Sequence, residues 1–162
     1  MAKVRVGFGY DVHKLKPGRE FWLGGILVPS EFGADGHSDA DVLIHVICDA
    51  LLGAANLRNI GFHFSDKDPQ YKGVDSKILL AKVLEMIRSK GFEVGNIDTT
   101  VCLQEPKLNP FIPAMKTSLS QVMEIDEEDI SIKATTSESM GFVGRKEGIA
   151  AYAVVLIQKV NL

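Results

Sequence analysis

One run, Ala150-Ala151-Tyr152-Ala153-Val154-Val155-Leu156-Ile157, constrains this chain more than any other stretch. A strand that covers a core with one face and meets water with the other alternates apolar and polar residues. A strand that is apolar at nearly every position has to be buried on both faces. The run therefore predicts a long final strand over residues 149–160. It also implies that the second face of its sheet is covered, and in a two-layer domain the natural cover is another copy of the chain. The length of 162 residues suits one domain with a real hydrophobic core, expected over residues 1–162. With 46% apolar and 24% charged residues, the composition is that of an ordinary globular protein.

Periodicity predicts the remaining elements. Val4, Val6 and Phe8 alternate in a strand over residues 3–10, which Lys16-Pro17-Gly18 breaks. Residues 21–28 read as a second strand and hairpin partner of the first. Residues 29–37 read as loop. Val42, Val46, Ile47, Leu51 and Leu52 stripe a helix over residues 38–55, with Ser38 and Asp41 resembling a capping box. The stretch 56–72 is a long polar loop, and loops of that length in compact domains are usually functional or mobile. A second helix over 75–90 is closed by Gly91. A strand follows over 97–103, then a third helix from Asn109-Pro110 to Met123, then a strand over 130–136. The expected fold is a single two-layer α/β (α+β) domain: a mixed four- to five-stranded sheet with three helices on one face.

Several function classes drop out. The net charge is −3 and no basic stripe exists to neutralise phosphates, so no nucleic-acid partner is expected. No apolar run is long enough for a membrane span. Cys48 and Cys102 sit in apolar runs and read as buried thiols, which suits a reducing compartment. Met1 leads almost directly into Val4-Arg5-Val6, so no targeting segment is expected and a cytoplasmic location is.

Three clusters carry chemistry. In Asp11-Val12-His13, at the end of the first strand, residues two apart point the same way, so carboxylate and imidazole converge. In His37-Ser38-Asp39-Ala40-Asp41, followed by His45 and Asp49, residues four apart line one helix face. Asp11, His13 and His45 together are three ligands with room for a fourth position, the arrangement of a catalytic zinc-type site. Zinc, manganese or cobalt suit such mixed donors. Asp49 is expected to orient His45, and His63 is read as structural or surface. The third cluster is Lys133-Ala134-Thr135-Thr136-Ser137-Glu138 with Gly141-Phe142-Val143-Gly144-Arg145, where hydroxyls, an acid and a Gly-flanked Arg suit phosphate and a second metal.

Taken in order, these segments resemble the 2-C-methyl-D-erythritol 2,4-cyclodiphosphate synthase family of the non-mevalonate isoprenoid pathway, from about Arg5 to Leu156. Asp11-Val12-His13 matches its metal triplet, and His37-Ser38-Asp39-Ala40-Asp41-Val42 its H-S-D-x-D-V stretch. Asn59-Ile60-Gly61 and Phe64-Ser65-Asp66-Lys67-Asp68-Pro69 match the substrate loop, and Lys107 a nucleotide-side lysine. The resemblance implies zinc or manganese at Asp11, His13 and His45, and magnesium or manganese near Glu138 at the diphosphate. It implies His37 and Thr136 as stabilisers of transition-state charge. It implies a homotrimer with active sites between subunits, one giving the metal half with His37, Ser38 and the loop, its neighbour giving Lys107, Thr135, Thr136 and Glu138, with Ser137 among the substrate-binding residues. The substrate would be a cytidine diphosphate-linked methylerythritol phosphate. Phe142 and Arg145 would line an apolar cavity enclosed by the trimer.

Three positions depart from the family pattern. Asn59 stands where Asp is usual, Ser65 where Pro is usual, and Tyr10 where Phe is usual. Two other function classes fit the same residues. One is a metal-dependent phosphohydrolase with water as attacker, which would release phosphate or an opened diphosphate. The other is a non-catalytic trimeric binding module, which a metal-dependent activity would exclude.

Overall fold

The computed structural model describes residues 3–160. Met1, on which the expectation of no targeting segment rests, lies outside them. Strand β1 runs Val4–Pro17 and is followed by the short strands β2 (Phe21–Leu23), β3 (Ile26–Val28) and β4 (Phe32–Ala34). Helix α1 (Val42–Ala54) leads to a four-residue helix α2 (Ile60–His63) and then to α3 (Ser76–Ser89). Strand β5 (Phe92–Cys102), helix α4 (Ile112–Met123), strand β6 (Ile130–Thr135), a four-residue helix α5 (Gly141–Gly144) and strand β7 (Gly148–Lys159) complete the chain. The main sheet has five strands in the order β4-β1-β7-β5-β6. All its pairs are antiparallel except β5–β6. The long helices α1, α3 and α4 bury the core, so the α+β expectation holds, with five helices rather than three among the described residues.

Four expectations are corrected. The first strand does not end before Asp11: β1 continues through Asp11 and His13 to Pro17, because β7 pairs with it as far as Lys14 and β4 from Leu15 onward. Residues 21–28 are not one strand and do not pair with β1. Gly24 and Gly25, at φ +61° and +78°, make the two-residue turn of a separate β2–β3 hairpin. Within the expected loop 29–37, Phe32–Ala34 forms the edge strand β4. The first helix starts at Val42, not Ser38, and its cap is Asp41, which accepts from the Ile44 N–H at 3.0 Å. Ala40 at φ +59° breaks the helical path before that point. Asp41 is wholly buried and also accepts from Gly24 N at 3.0 Å and Gly25 N at 2.7 Å, which ties the hairpin to the start of α1. Burial raises its carboxyl above the ordinary value, and these three N–H groups work against that rise. Two smaller shifts complete the comparison. The long loop contains α2 and a 3-10 turn at Pro69–Tyr71, and Asn109–Phe111 is a 3-10 turn that leads into α4.

The second sheet face stays open in one chain. Val6 is 65% and Phe8 63% exposed, and Tyr10, Val12, Tyr152 and Val154 extend the same band across β1 and β7. Farther along, on β5 and β6, the face turns polar with Asp98, Thr100, Ser131 and Lys133. The burial expected on both faces of β7 is therefore absent within one chain, and an apolar band of this kind marks an interaction surface.

On the covered face α1 lies unusually close to β1. A Cβ on Gly7 would sit 1.9 Å from the Ala50 carbonyl oxygen, and one on Gly9 2.2 Å from that of Val46. Only hydrogen side chains permit the approach, and the helix so seated carries His45. Gly9→Ala is expected to push α1 outward and lower the unfolding free energy by roughly 1–3 kcal/mol, the usual range for overpacking. Denaturant unfolding at fixed protein concentration, with zinc affinity measured alongside, checks this. Loss of both stability and zinc affinity is expected.

Candidate metal centre and flanking clefts

Alternation along β1 sends Asp11 and His13 toward the helical layer, and α1 brings His45 to meet them. His13 Nε2 lies 3.1 Å from His45 Nδ1, Asp11 Oδ2 lies 3.2 Å from His13 Nε2, and Asp11 Oδ2 lies 3.3 Å from His45 Nδ1. The three donor atoms form a nearly equilateral triangle. Three donors about 2.0–2.1 Å from a tetrahedral zinc stand about 3.3 Å apart, so the triangle fits an ion of that size. One carboxylate with two imidazoles suits zinc or manganese. The side chains are 13–27% exposed, so a fourth position opens to the cleft. Burial raises the Asp11 carboxyl, but the adjoining His13 and His45 imidazoles outweigh it and hold the group well below the usual carboxylate range.

Behind the triangle, His45 Nε2 lies 3.0 Å from Ser38 Oγ and 3.0 Å from Ser76 Oγ. Asp49, expected to orient His45, makes no hydrogen bond to it. Its carboxylate accepts from Ile60 N at 2.7 Å and anchors the start of α2. The fault in the expectation is that Asp49, one turn beyond His45, reaches outward to the loop. Sequence reasoning missed Ser76. The signal available was Asp75-Ser76 at the start of α3, a pair that reads as helix capping. His63 Nε2 donates to the Leu57 carbonyl at 2.7 Å, in line with a structural role.

The triangle opens into a cleft of about 420 Å³ that also reaches His37, Ser38, Ile60, Gly61, Phe64 and Asp66. His37 Nε2 donates to the Asp68 carbonyl at 3.1 Å, which fixes the ring at the cleft wall. Asn59 is exposed at the N-terminal end of α2 and makes no capping hydrogen bond, since Asp49 already holds that end. Ser65 accepts from Lys67 N, and the Asp68 carboxylate caps the 3-10 turn through Gln70, so Ser65 and Asp68 hold the loop's own shape. The aromatic pair Phe64 and Tyr71 stands edge to face at 5.4 Å, with Lys82 of α3 over both rings. Tyr71 also lines the cleft and was not singled out from the sequence, where Pro69-Gln70-Tyr71 reads only as loop.

The third cluster lies elsewhere. Lys107, Thr135 and Thr136 line a separate groove of about 210 Å³ that shares no lining residue with the metal cleft. Glu138 sits at φ +53° and folds back on Thr136, whose Oγ1 is 3.4 Å from Glu138 Oε1. The Ser137 hydroxyl donates to the Met140 carbonyl at 2.6 Å. Phe142 lines a third hollow with Val12 and Lys14, and Arg145 pairs with Glu147 at 2.9 Å. Cys48 and Cys102 are both free thiols, Cys48 buried and Cys102 half-buried. No helix among the described residues is long and apolar enough to cross a membrane.

A mixed-sheet α+β domain with a carboxylate–imidazole–imidazole triangle opening into a cleft has the architecture of a metal-dependent enzyme, and the triangle is a candidate ligand set. The family model described as the YgbB family matches residues 4–158, and the chain belongs to that family. It is 64% identical over 159 residues to the 2-C-methyl-D-erythritol 2,4-cyclodiphosphate synthase of Parabacteroides distasonis, covering 98% of this chain and 99% of that one. A structure of 2C-methyl-D-erythritol-2,4-cyclodiphosphate synthase in its CDP-bound form superposes with a TM-score of 0.88 at 36% identity, covering 94% of this chain and 99% of that one. The bifunctional IspDF of Campylobacter jejuni superposes with a TM-score of 0.96 at 39% identity, over 99% of this chain. This chain spans only 44% of that longer protein.

His45→Ala removes one donor of the triangle without touching the core. Metal analysis after dialysis should show the divalent ion lost, while circular dichroism keeps the parental spectrum. Full metal occupancy in that variant would show that His45 is not a ligand.

Proposed function

We propose that this chain converts 4-diphosphocytidyl-2-C-methyl-D-erythritol 2-phosphate to 2-C-methyl-D-erythritol 2,4-cyclodiphosphate and CMP, a lyase reaction of isoprenoid precursor biosynthesis. The observation that carries the reading is the donor triangle at the mouth of a cleft walled by the family's substrate-loop residues. The near-complete alignment with named synthases supports it. A phosphohydrolase has no support among these relatives.

In the reaction the substrate's own 2-phosphate oxygen attacks the β-phosphorus. The bond from that phosphorus to the oxygen bridging it to the α-phosphate breaks, and CMP leaves with the bridging oxygen. No protein nucleophile is required, so the chain's task is alignment and charge neutralisation. A divalent ion held by Asp11, His13 and His45, zinc or manganese, supplies Lewis-acid polarisation of a phosphoryl oxygen when bound. His37, its ring fixed by the Asp68 carbonyl, lines the cleft wall where the substrate's phosphoryl oxygens would lie. Ser38, Asn59, Ile60, Gly61, Phe64, Ser65, Asp66, Lys67 and Asp68 form the methylerythritol side. The Asn59 amide offers a donor and an acceptor to substrate hydroxyls. Lys107, Thr135, Thr136 and Ser137 receive the cytidine diphosphate, with Thr136 stabilising developing charge. Glu138 would hold a magnesium or manganese ion that neutralises phosphate charge when bound, and Phe142 with Arg145 would line the cavity beyond.

The two clefts are separate in one chain, and an apolar band on the open sheet face waits for cover. Both features support a homotrimer in which the metal cleft of one subunit meets the Lys107–Thr136 groove of the next. Incubation with the cytidyl substrate, magnesium and zinc or manganese tests the reaction. Product mass should show the cyclic diphosphate and CMP in equal amounts, whereas free phosphate or an opened diphosphate would refute cyclisation. Mixing inactive His45→Ala with inactive Thr136→Ala subunits tests the shared site. Activity should reappear, since a mixed interface joins two intact halves, and a fully active monomer would overturn the assembly.

A further inference from the structure

We propose that Ser76 and Asp39 are positioning residues that set the tautomer of His45, and so aim its Nδ1 lone pair at the metal point. The argument is one of hydrogen-bond direction. Asp39 accepts from Ser76 N at 2.9 Å through Oδ2 and from Asp41 N at 3.1 Å through Oδ1. The Ser76 Oγ lies in short contact with the same Oδ1. A carboxylate can only accept, so the hydroxyl hydrogen of Ser76 is committed to Asp39. Ser76 Oγ can then only accept from His45 Nε2, 3.0 Å away, which requires hydrogen on Nε2. The neutral ring has one N–H, so Nδ1 is left bare, facing His13 and Asp11.

This ordering has a rival within the same site. Asp11 Oδ2, 3.3 Å from Nδ1, favours hydrogen on that nitrogen in the metal-free protein, and Nδ1–H cannot ligate a metal. Ser38 does not settle the contest. Its Oγ accepts from Ala40 N at 3.1 Å and keeps its own hydrogen free to donate to a bare Nε2 or to turn away. Only Ser76 has its hydroxyl direction imposed by a carboxylate. Ser76 is also wholly buried at the first position of α3, so no solvent can replace it. The segment between α1 and α3 is thereby tied to metal readiness, because folding α3 against α1 is what carries Ser76 to His45.

The inference rests on Asp11, His13 and His45 as the metal site, and its test separates the two. Nitrogen-15 spectra of the metal-free protein at about pH 9, above the ordinary imidazole range, report which ring nitrogen of neutral His45 carries hydrogen. His45 is expected to show a protonated Nε2 and a bare Nδ1. Ser76→Ala should shift the population toward hydrogen on Nδ1 and weaken zinc binding by about 10–100-fold in a chelator competition. Ser76→Thr, which keeps the hydroxyl, should restore most of both. A bare Nδ1 in a protein that takes up no zinc or manganese would uphold the tautomer lock and sink the metal reading alone. Hydrogen on Nδ1 in the parent, or a Ser76→Ala protein with parental tautomer and zinc affinity, overturns the lock.

Discussion

The approach of α1 to β1 across Gly7 and Gly9 is the constraint on which the rest depends. The backbones come so near that a methyl group on either glycine would overlap a helix carbonyl oxygen. Interiors pack too densely to absorb such an overlap without moving the helix. Seated there, α1 delivers His45 to within 3.1 Å of His13, and a strand–helix pair becomes a donor triangle. Two residues with no chemistry of their own thus set the geometry of three that have it.

A second layer of polar contacts locks that geometry from behind. Asp41 caps α1 and holds the β2–β3 turn, while Asp39 binds the start of α3. Both acids lie in the seven-residue segment between β4 and α1, and every oxygen of the pair is engaged by N–H or O–H donors. Buried polar groups satisfied in this way specify one arrangement rather than many. The long segment after α1 is held at several points of its own. Asp49 fixes its first helical N–H, His37 meets its Asp68 carbonyl, and Phe64 with Tyr71 rests beneath Lys82.

The three long helices and the candidate metal donors were legible because both obey short periods. Asp11 and His13 are two apart on a strand, and His45 lies among the apolar stripe of a helix whose neighbours reveal its register. The first strand's length was not legible, since β4 and β7 sustain it past Asp11 through pairing that no local pattern encodes. The apolar pattern of residues 21–28 reads as one strand, yet the adjacent Gly24 and Gly25 allow the left-handed conformations that a hairpin turn needs. Helix spacing sets Asp49 on the face of His45, yet its partner, Ile60 N, lies eleven residues on, beyond the end of the helix. Ser76 is illegible for a related reason. Its importance comes from a contact 31 residues away in sequence, made only when α3 packs against α1.

The central claim is that one carboxylate and two imidazoles, converged by packing, hold the ion that serves phosphoryl transfer. X-ray absorption at the zinc edge of the zinc-loaded protein tests it most directly. The account predicts nitrogen and oxygen neighbours alone at about 2.0–2.1 Å, with the multiple-scattering signature of two imidazoles per zinc. A sulfur neighbour at about 2.3 Å, or scattering from a single imidazole, would contradict it.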